Sequence, residues 1–294
     1  MNKIILNQNK KSQIDKLAAQ RFLYSAAKKF LLARLGISVI FAIIGPLLMF
    51  AIEEAKPYVA ISAIFYIFID CFFLKRIEKK HRRDAAKIQE LFDVSLFDLK
   101  WNSLVVGGKP NHEKIFLYKK NYKKHNKLSV LENWYPLEIE KLCLLPAVAV
   151  CQRTNVWWDV GLRKKFFWSL ILFIILLTSV IFTILKDDQG NLLLLIFSLL
   201  PFYQVLTDFI VSQFSSINRI EKLEGILKDL LGKTVNENTS KLENDLRIIQ
   251  DEIFRHRETC LSVPDWFYKI FRDNQEAQMN YGAEKYVEDI LKRS

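Results

Sequence analysis

Four long runs of apolar residues constrain this chain more than any other feature of its sequence. The runs are Leu35–Ile52 and Phe166–Leu185, without a charge, and Val59–Leu74 and Leu192–Val211, with one acid each. A helix needs about 20 apolar residues to cross the hydrocarbon core, and roughly 17 is the lower bound. Three runs meet that length, and the second is marginal and extends through Tyr58. Because the hydrophobic residues, 51% of the chain, are concentrated in blocks, the sequence predicts a membrane protein.

Short polar connections join the four runs into two hairpins. Glu53–Pro57 closes the first hairpin and Lys186–Asn191 the second, and each contains a turn former, Pro57 or Gly190. Basic residues flank the opposite ends of all four runs: Lys28, Lys29, Arg34, Lys75 to Arg83, Arg163 to Lys165, Arg219 and Lys222. Positive charge beside a span stays in the cytoplasm. The pattern predicts a multi-pass membrane protein with both termini in the cytoplasm.

The topology divides the chain into five segments. They are a cytoplasmic N-terminal arm (1–30), the first hairpin (31–74), a cytoplasmic middle segment (75–165), the second hairpin (166–211) and a cytoplasmic tail (212–294). Each cytoplasmic segment is small for a core of its own, so we expect the three to fold together. The predicted fold class is an all-α membrane protein with four transmembrane helices and a mainly helical cytoplasmic domain. A few short strands are expected around Gly108–Tyr118.

Helical periodicity continues beyond the apolar runs. Lys11–Leu35 contains no helix breaker and is expected to run as a helix into the first span, and Ile217–Leu231 to continue the fourth span until Gly232. In the tail, one predicted helix places four apolar residues on one face: Leu242, Leu246, Ile249 and Ile253. Pro264 is expected to end that helix, before another amphipathic stretch begins.

Several kinds of chemistry have no signature in this sequence. A complete phosphate-binding glycine loop and a nucleophile elbow are both missing. The four histidines show no ligand spacing with one another or with cysteine. We therefore expect no enzymatic activity, no catalytic residue, no cofactor and no metal site. The four cysteines (Cys71, Cys143, Cys151 and Cys260) are expected to be reduced thiols.

The formal net charge of +11 does not by itself indicate nucleic-acid binding. Orientation in the membrane and anionic lipid heads account for much of it, since each juxtamembrane Lys or Arg contributes about 1 kcal/mol near the surface. No direct DNA binding is expected. The seven lysines in Lys109–Lys127 are interpreted as a lipid-contacting or solvated face, with an electrostatic funnel for an anionic ligand as the alternative.

Two acids lie inside the apolar runs, and intramembrane acids are candidates for function. Asp70 and Asp208 each lie near the cytoplasmic end of the second helix of a hairpin. One interpretation is pairing within each hairpin, Asp70 with Arg34 and Asp208 with Arg163–Lys165. The other is a ring of carboxylates at the cation-selective inner mouth of a pore. Pro201 is expected to kink its helix near such a gate.

Four polar motifs accompany the apolar runs. In order they are "QNKKSQIDKLAAQRFLYSAAK", "LFDVSLFDLKWN", "LENWYPLEIEKL" and "VCQRTNVWWDVGLR". From Gln8 to about Arg272 the chain resembles the S-4TM family of proposed pore-forming effectors of bacterial cyclic-oligonucleotide antiphage systems (CBASS). The resemblance implies that a nucleotidyltransferase makes a cyclic di- or trinucleotide, that the effector binds it, and that the inner membrane of the infected cell is breached. A homo-oligomer is expected, because four spans with so few polar side chains cannot line a wide aqueous path.

The motifs supply candidate contacts for such a ligand. Arginine grips phosphate with a planar fork, aromatic faces stack bases for about 1–3 kcal/mol each, and Asn can bind a base edge. The candidates are Arg153, Asn155, Gln152, Trp134, Tyr135, Trp158 and Arg21. A site here would lie close to Phe166, where the third span begins, so that ligand closure would pull on that helix. The structural alternatives are an interfacial tryptophan belt, a salt bridge from Arg153 to Asp159, and simple packing of these side chains in the core.

Two other functions compete with a ligand-gated pore. The main one is a membrane-anchored interaction protein that recruits a cytosolic partner and forms no pore. A small transporter is the second, and it is less favoured because the spans show little repeat symmetry and few polar residues at mid-membrane.

Overall fold

A computed structural model describes residues 2–185, 192–233 and 239–293. These residues form ten α-helices: α1 (Ile4–Gln8), α2 (Lys11–Ala51), α3 (Lys56–Ile69), α4 (Lys75–Phe97), α5 (Ser103–Val106), α6 (His112–Lys123), α7 (Leu144–Leu185), α8 (Leu192–Lys233), α9 (Thr239–Thr259) and α10 (Asp265–Arg293). Short 3₁₀ turns lie at Glu53–Ala55, Leu128–Leu131 and Leu137–Lys141. The predicted turn of the second hairpin, Lys186–Asn191, lies outside the described residues.

The predicted strands around Gly108–Tyr118 are wrong, since the described residues contain no strand. Helix α6 occupies most of this stretch instead. Ile115, Tyr118 and Tyr122 recur at spacings of three and four, which places them on one helical face. Ile115 packs in a small core with α2 and α4, and the Tyr118 ring stacks on Phe22 with 5.9 Å between centroids. Burial against α2 therefore decides the conformation of this short segment.

The first hairpin consists of two long helical rods. Helix α2 runs without interruption from the cytoplasmic arm through the first apolar run, as predicted. Helix α3 continues through a π-helical stretch, Asp70–Leu74, into α4. Among the described residues, Lys11–Ala51 and Glu53–Phe97 are the helices long and apolar enough to cross a membrane. Their apolar windows are only 28% buried, so most of these side chains face outward, as a lipid-facing surface requires.

The two remaining long helices, α7 and α8, each have 42 residues and pack against each other. Helix α8 also packs along α2 and α3, which joins the second helical pair to the first hairpin. Its continuation past the apolar run to Lys233 confirms the predicted extension of the fourth helix into the tail. Spans three and four themselves remain predictions from the sequence.

One hydrophobic core collects side chains from all three segments that were assigned to the cytoplasm. Leu17 of the arm, Phe92 and Val148 of the middle segment, and Leu246 and Val287 of the tail are buried in it. The predicted apolar stripe of α9 lies wholly within this core. Helix α10 begins at Asp265, directly after Pro264, as expected. The arm, middle segment and tail therefore fold as one body.

A second, smaller core lies where this body meets the apolar runs. It contains Leu31 of α2, Leu162 and Phe166 of α7, Phe209 of α8, and the residues that bracket the start of α10: Leu261, Val263 and Phe267. The rings of Phe166 and Phe267 have centroids 5.0 Å apart. Helix α10 is therefore in direct contact with the point at which the third apolar run begins.

Candidate functional site

The two acids of the apolar runs, Asp70 and Asp208, meet one arginine. Arg34 donates from Nε to Asp70 Oδ1 at 2.6 Å and from Nη2 to Asp70 Oδ2 at 2.9 Å. The same Nη2 lies 3.4 Å from Asp208, which also accepts from Lys75 at 2.7 Å. Arg34 and Asp70 are 1% and 0% exposed, so this is a buried, bidentate ion pair. Pro201 lies within α8, about two helical turns before Asp208.

The predicted pairing of Asp70 with Arg34 is therefore present, but the pairing of Asp208 with Arg163–Lys165 is wrong. Helix α8 packs along α2 and α3, which brings Asp208 to the cations of the first hairpin. Asp70 is also the first residue of the π-helical stretch, a rare distortion that is frequent at functional positions. The two acids thus link both helical pairs through one buried guanidinium.

Arg163 connects three elements at the junction between the apolar runs and the body formed by the arm, middle segment and tail. Its Nε donates to Asp159 at 2.5 Å, and its Nη1 donates to Gln213 of α8 at 2.8 Å and to the carbonyl of Leu261 at 2.7 Å. Arg163 is 5% exposed, so it is a buried connector and not a solvated membrane anchor. Asp159 pairs with Arg163 and His256, so the interpretation of a salt bridge from Arg153 to Asp159 is wrong.

Three of the predicted ligand residues belong to a buried polar network centred on Asp93. Asp93 accepts from the Tyr135 hydroxyl at 2.7 Å, from Arg257 at 2.5 Å and from Gln250 at 3.2 Å. Asn155 donates to the Tyr135 hydroxyl at 3.0 Å, and Gln152 donates to Gln250 at 3.1 Å. The network joins α4, α7, α9 and the loop that carries Tyr135, which explains in structural terms why these motif residues are polar.

Burial keeps Tyr135 a neutral hydrogen-bond donor in this network. Its ring is 1% exposed and stacks on Phe92 with 6.2 Å between centroids. Burial, followed by the charge of Asp93, raises the pKa of Tyr135 well above its usual value. Because the ring face is already covered by protein, it has no free surface for a base. Tyr135 therefore holds the motif elements together from within the core.

Sequence reasoning missed the charged members of this network. Glu90 accepts from Arg247 and Gln250, both at 2.7 Å, and it is fully buried like Asp93. The available signal was the position of Asp93 in "LFDVSLFDL", where an acid lies between apolar residues on the buried face of a helix. An acid at such a position requires a partner, and the partners come from α9.

Arg153 is a buried predicted ligand residue whose charge has no counter-ion among the described residues. It is 6% exposed, and its guanidinium lies 4.5 Å from the ring centroid of Tyr286 and 5.8 Å from that of Trp157. Among the described residues, Nε and Nη1 have no hydrogen-bond partner, and no acid forms an ion pair with Arg153. A Cβ on Gly282 would lie 2.9 Å from Nη1, so α10 approaches the guanidinium as closely as a glycine allows.

The energetics of Arg153 indicate an incomplete site. Contact with two aromatic faces contributes about 0.5–2 kcal/mol. Removing an arginine from water costs several kcal/mol unless an anion and hydrogen bonds compensate it. The rings therefore offset only part of the cost, and Nε and Nη1 are left without hydrogen-bond partners among the described residues. A bound anion would supply what is missing.

The remaining predicted ligand residues lie elsewhere. The guanidinium of Arg21 is 5.4 Å from the ring centroid of Trp134, and Trp158 packs on Tyr268 with 5.8 Å between centroids. Thus Gln152, Asn155 and Tyr135 share the buried network, while Arg153, the Arg21–Trp134 pair and Trp158 each occupy a separate environment. The seven residues belong to the same helical body, but they do not line one pocket.

Replacing Asp93 with asparagine is expected to destabilise the folded protein by about 3–5 kcal/mol, because it leaves Arg257 buried without a counter-charge. Arg257 is 10% exposed and Asp93 is fully buried. Thermal unfolding of the detergent-solubilised protein measures the loss. The matched control is Glu252→Gln, which breaks a solvent-exposed pair with Arg255 and should leave the unfolding temperature unchanged. Equal stability of D93N and the wild type would contradict the role assigned to the network.

Comparison with known proteins places the chain in a family. The family described as the SMODS-associating 4TM effector domain matches residues 2–286. A probable CBASS effector molecule of Bacillus cereus (strain VD146) is 25% identical over 283 residues, which cover 92% of this chain and 94% of the relative. No solved structure matches the chain. Family membership supports a role in antiphage defence and, together with the two long apolar helices, a membrane location. The chain belongs to the SMODS-associating 4TM effector domain family.

Proposed function

We propose that this protein is a membrane-disrupting effector that a cyclic di- or trinucleotide activates, so that growth of the phage-infected bacterium is arrested or the cell is killed. The observation that carries the proposal is Arg153, a buried guanidinium without a counter-ion among the described residues. The family and the CBASS relative support a nucleotide signal in general, produced by a nucleotidyltransferase. The protein acts as a binding effector, with no enzymatic step, no cofactor and no direct contact with DNA.

A phosphate of the ligand would bind at Arg153. The guanidinium presents two enclosed N–H groups, Nε and Nη1, and charge-assisted bonds from this fork to phosphate oxygens are strong and directional. The rings of Tyr286 and Trp157 flank the cation and would form the aromatic walls of the site. The site would be supported from within the core by the Asp93 network. Its hydrogen bonds to Gln152, Asn155 and Tyr135 fix the position of α7. Trp134, Arg21 and Trp158 are the candidates for contacts with the rest of a larger ligand.

The position of Arg153 would couple the ligand to the membrane. Arg153 and Arg163 lie ten positions apart on α7, which corresponds to about 15 Å along the helix. An anion held between α7 and α10 changes how these two helices pack. Helix α7 continues into the third apolar run, and Arg163 connects it to α8 through Gln213. A shift of α7 is therefore transmitted to the second hairpin.

The intramembrane charges would form the gate. In the single chain, Asp70 and Asp208 are neutralised by Arg34 and Lys75, which holds the two helical pairs together. Ligand binding would favour a second arrangement in which these pairs separate and the acids face an aqueous path in a homo-oligomer, with Pro201 as a hinge within α8. Such an assembly would lie in the bacterial inner membrane, with four spans per subunit and both termini in the cytoplasm.

Dye release from proteoliposomes tests the proposal. Purified full-length protein is reconstituted with a trapped fluorescent dye, and a panel of cyclic di- and trinucleotides is added, each with its linear form as the control. We expect one cyclic compound to release the dye and its linear form to release none. Binding without release at any protein density would contradict the pore and favour a membrane-anchored interaction protein. Failure of every compound to bind would contradict nucleotide activation.

A further inference from the structure

A cluster of ionisable side chains lies at the junction beneath the apolar runs, separate from Arg153. A carboxylate oxygen of Asp159, a ring nitrogen of His256 and the sulfur of Cys260 all lie within 4.8 Å of one another. His256 Nε2 is 2.5 Å from Asp159 Oδ2. His256 and Cys260 are each 5% exposed. Helix α9 ends at Thr259, so Cys260 begins the non-helical segment that leads to α10.

The second ring nitrogen of His256, Nδ1, is buried and has no hydrogen-bond partner in the part of the chain that the structure describes. The carboxylate of Asp159 holds Nε2, which leaves Nδ1 as the ring position available to a group at Cys260. A thiol, an imidazole and an orienting carboxylate in this order are the arrangement that activates a cysteine nucleophile. Cys260 is therefore not an isolated thiol.

The charges of the cluster balance without a metal ion. Asp159 Oδ2 already accepts from both Arg163 and His256, so the guanidinium occupies the position beside the carboxylate that a cation would need. Two cations, Arg163 and His256, then face the carboxylate of Asp159 and the sulfur of Cys260. Zinc sites are commonly completed by three or four protein ligands, and here Asp159 is engaged elsewhere. The cluster is better suited to holding a thiolate than to holding a metal.

The electrostatics of the cluster favour the ionised pair. Burial raises the pKa of the Cys260 thiol, but Arg163 and His256 lower it more, so that the net pKa is below the usual value. Burial lowers the pKa of His256, whereas the charge of Cys260 and the hydrogen bond to Asp159 raise it to about 9. Cys151 provides the opposite case within the same chain, because burial and the charge of Asp93 raise the pKa of its thiol well above the usual value.

We propose that Cys260 is an oxidative modification site, at which hydrogen peroxide converts the sulfur to a sulfenic acid with His256, held by Asp159, as the proton donor. The thiolate attacks one peroxide oxygen, an S–O bond forms and the O–O bond breaks. The sulfur is oxidised by two electrons and the peroxide is reduced. The departing hydroxide takes the proton from His256 and leaves as water, so that the products are Cys–SOH, water and a neutral imidazole.

The modified sulfur would lie beside the contacts that join α7, α8 and the segment before α10. Cys260 directly precedes Leu261, whose carbonyl oxygen accepts from both Arg163 and Gln213. The backbone N–H of Leu261 donates to Ser212 of α8 at 3.2 Å. An oxygen added to Cys260 is therefore placed one residue from the contacts that join α7, α8 and the start of α10. This inference is independent of nucleotide binding.

Quantitative labelling of the four cysteines tests the site. The full-length protein in detergent is treated with hydrogen peroxide between pH 6 and 8, trapped with a sulfenic-acid-specific diketone and analysed by peptide mass spectrometry. We expect Cys260 to be the preferred site at pH 6, with a rate that changes less than about threefold over this range. Exposed Cys143 should be labelled more slowly than Cys260 at pH 6, and buried Cys151 should remain unlabelled.

Two variants separate chemistry from accessibility. His256→Gln preserves a polar side chain but removes the imidazole, and Asp159→Asn removes the carboxylate that orients it. Each should slow the labelling of Cys260 at pH 6 by at least about tenfold while the rate at Cys143 is unchanged. Should either variant unfold, the pH profile of the wild type decides on its own. A Cys260 rate that rises roughly tenfold per pH unit, or labelling of Cys143 in preference to Cys260 at pH 6, would overturn the proposal.

Discussion

Replacing Arg34 with methionine is expected to destabilise the protein by about 3–5 kcal/mol, the cost of leaving a buried charge without its partner. Methionine keeps an unbranched apolar stem but removes both bonds to Asp70, whose carboxylate is 0% exposed. Lys75 cannot replace the lost charge there, because its ion pair is with Asp208. Heating the protein in detergent and measuring the fraction that remains monodisperse gives the change.

A double variant distinguishes the ion pair from simple packing. Arg34→Met combined with Asp70→Leu removes both charges and should recover most of the stability that R34M loses, since an apolar pair of similar volume replaces the ionic one. Lys56→Gln is the matched control, because its pair with Glu53 lies at the exposed turn of the same hairpin and contributes little. If the double variant is no more stable than R34M, the pair does not hold the hairpins together.

The double variant also tests whether the Arg34–Asp70 pair belongs to the proposed gate. If the Arg34–Asp70 pair stabilises the closed arrangement, R34M/D70L should leak dye in proteoliposomes without ligand, while K56Q should not. The ion pair would then contribute more to the choice between two states than to total stability, a known use of buried charges in proteins. Tight liposomes from the folded double variant would assign the pair a structural role alone.

Local patterns were sufficient for the helices. The apolar runs and the helical spacing in Lys11–Leu35 predicted one continuous rod, which α2 is, and the extension of α8 to Lys233 followed from Ile217–Leu231 in the same way. The stripe of α9 required only its own spacing. Gly108–Tyr118 was mistaken for strands because a short polar segment has little periodicity, and its packing on α2 is a long-range contact.

Partners between distant segments could not be predicted from the sequence. Asp208 was assigned to the basic residues nearest in its own hairpin, whereas packing of α8 on α2 and α3 pairs it with Arg34 and Lys75. The cluster of Asp159, His256 and Cys260 joins residues about a hundred positions apart, and its spacing in the sequence matches no metal or catalytic motif. Charge and residue type identified candidates, and only the packing determined which of them meet.

Replacing Arg153 with glutamine is expected to abolish the response to the cyclic nucleotide without lowering the stability of the unliganded protein. Loss of a bidentate contact to phosphate removes two charge-assisted bonds of about 1.5–3 kcal/mol each, a fall in affinity of at least roughly a hundredfold. At the same time the variant removes a buried charge that, among the described residues, has the rings of Tyr286 and Trp157 beside it and no counter-ion. Thermal unfolding with and without the compound that releases dye from the wild type measures both effects.

Three further variants determine whether the guanidinium binds the ligand or merely fills space. Arg153→Lys keeps the charge but loses the planar fork, so it should bind weakly and retain little dye release. Gly282→Ala leaves Arg153 in place but puts a methyl group 2.9 Å from Nη1, which must displace the guanidinium and weaken binding. Arg76→Gln removes a cation that lies 5.4 Å from the ring centroid of Phe72 and serves as the control outside the site. A structural role for Arg153 predicts instead that R153Q unfolds at lower temperature than the wild type while G282A and R153K keep full ligand affinity. The proposed role predicts that R153Q is as stable as the wild type, while G282A and R153K lose ligand affinity. Removing a buried charge that has no counter-ion does not destabilise the unliganded protein, but it removes the group that binds the anion.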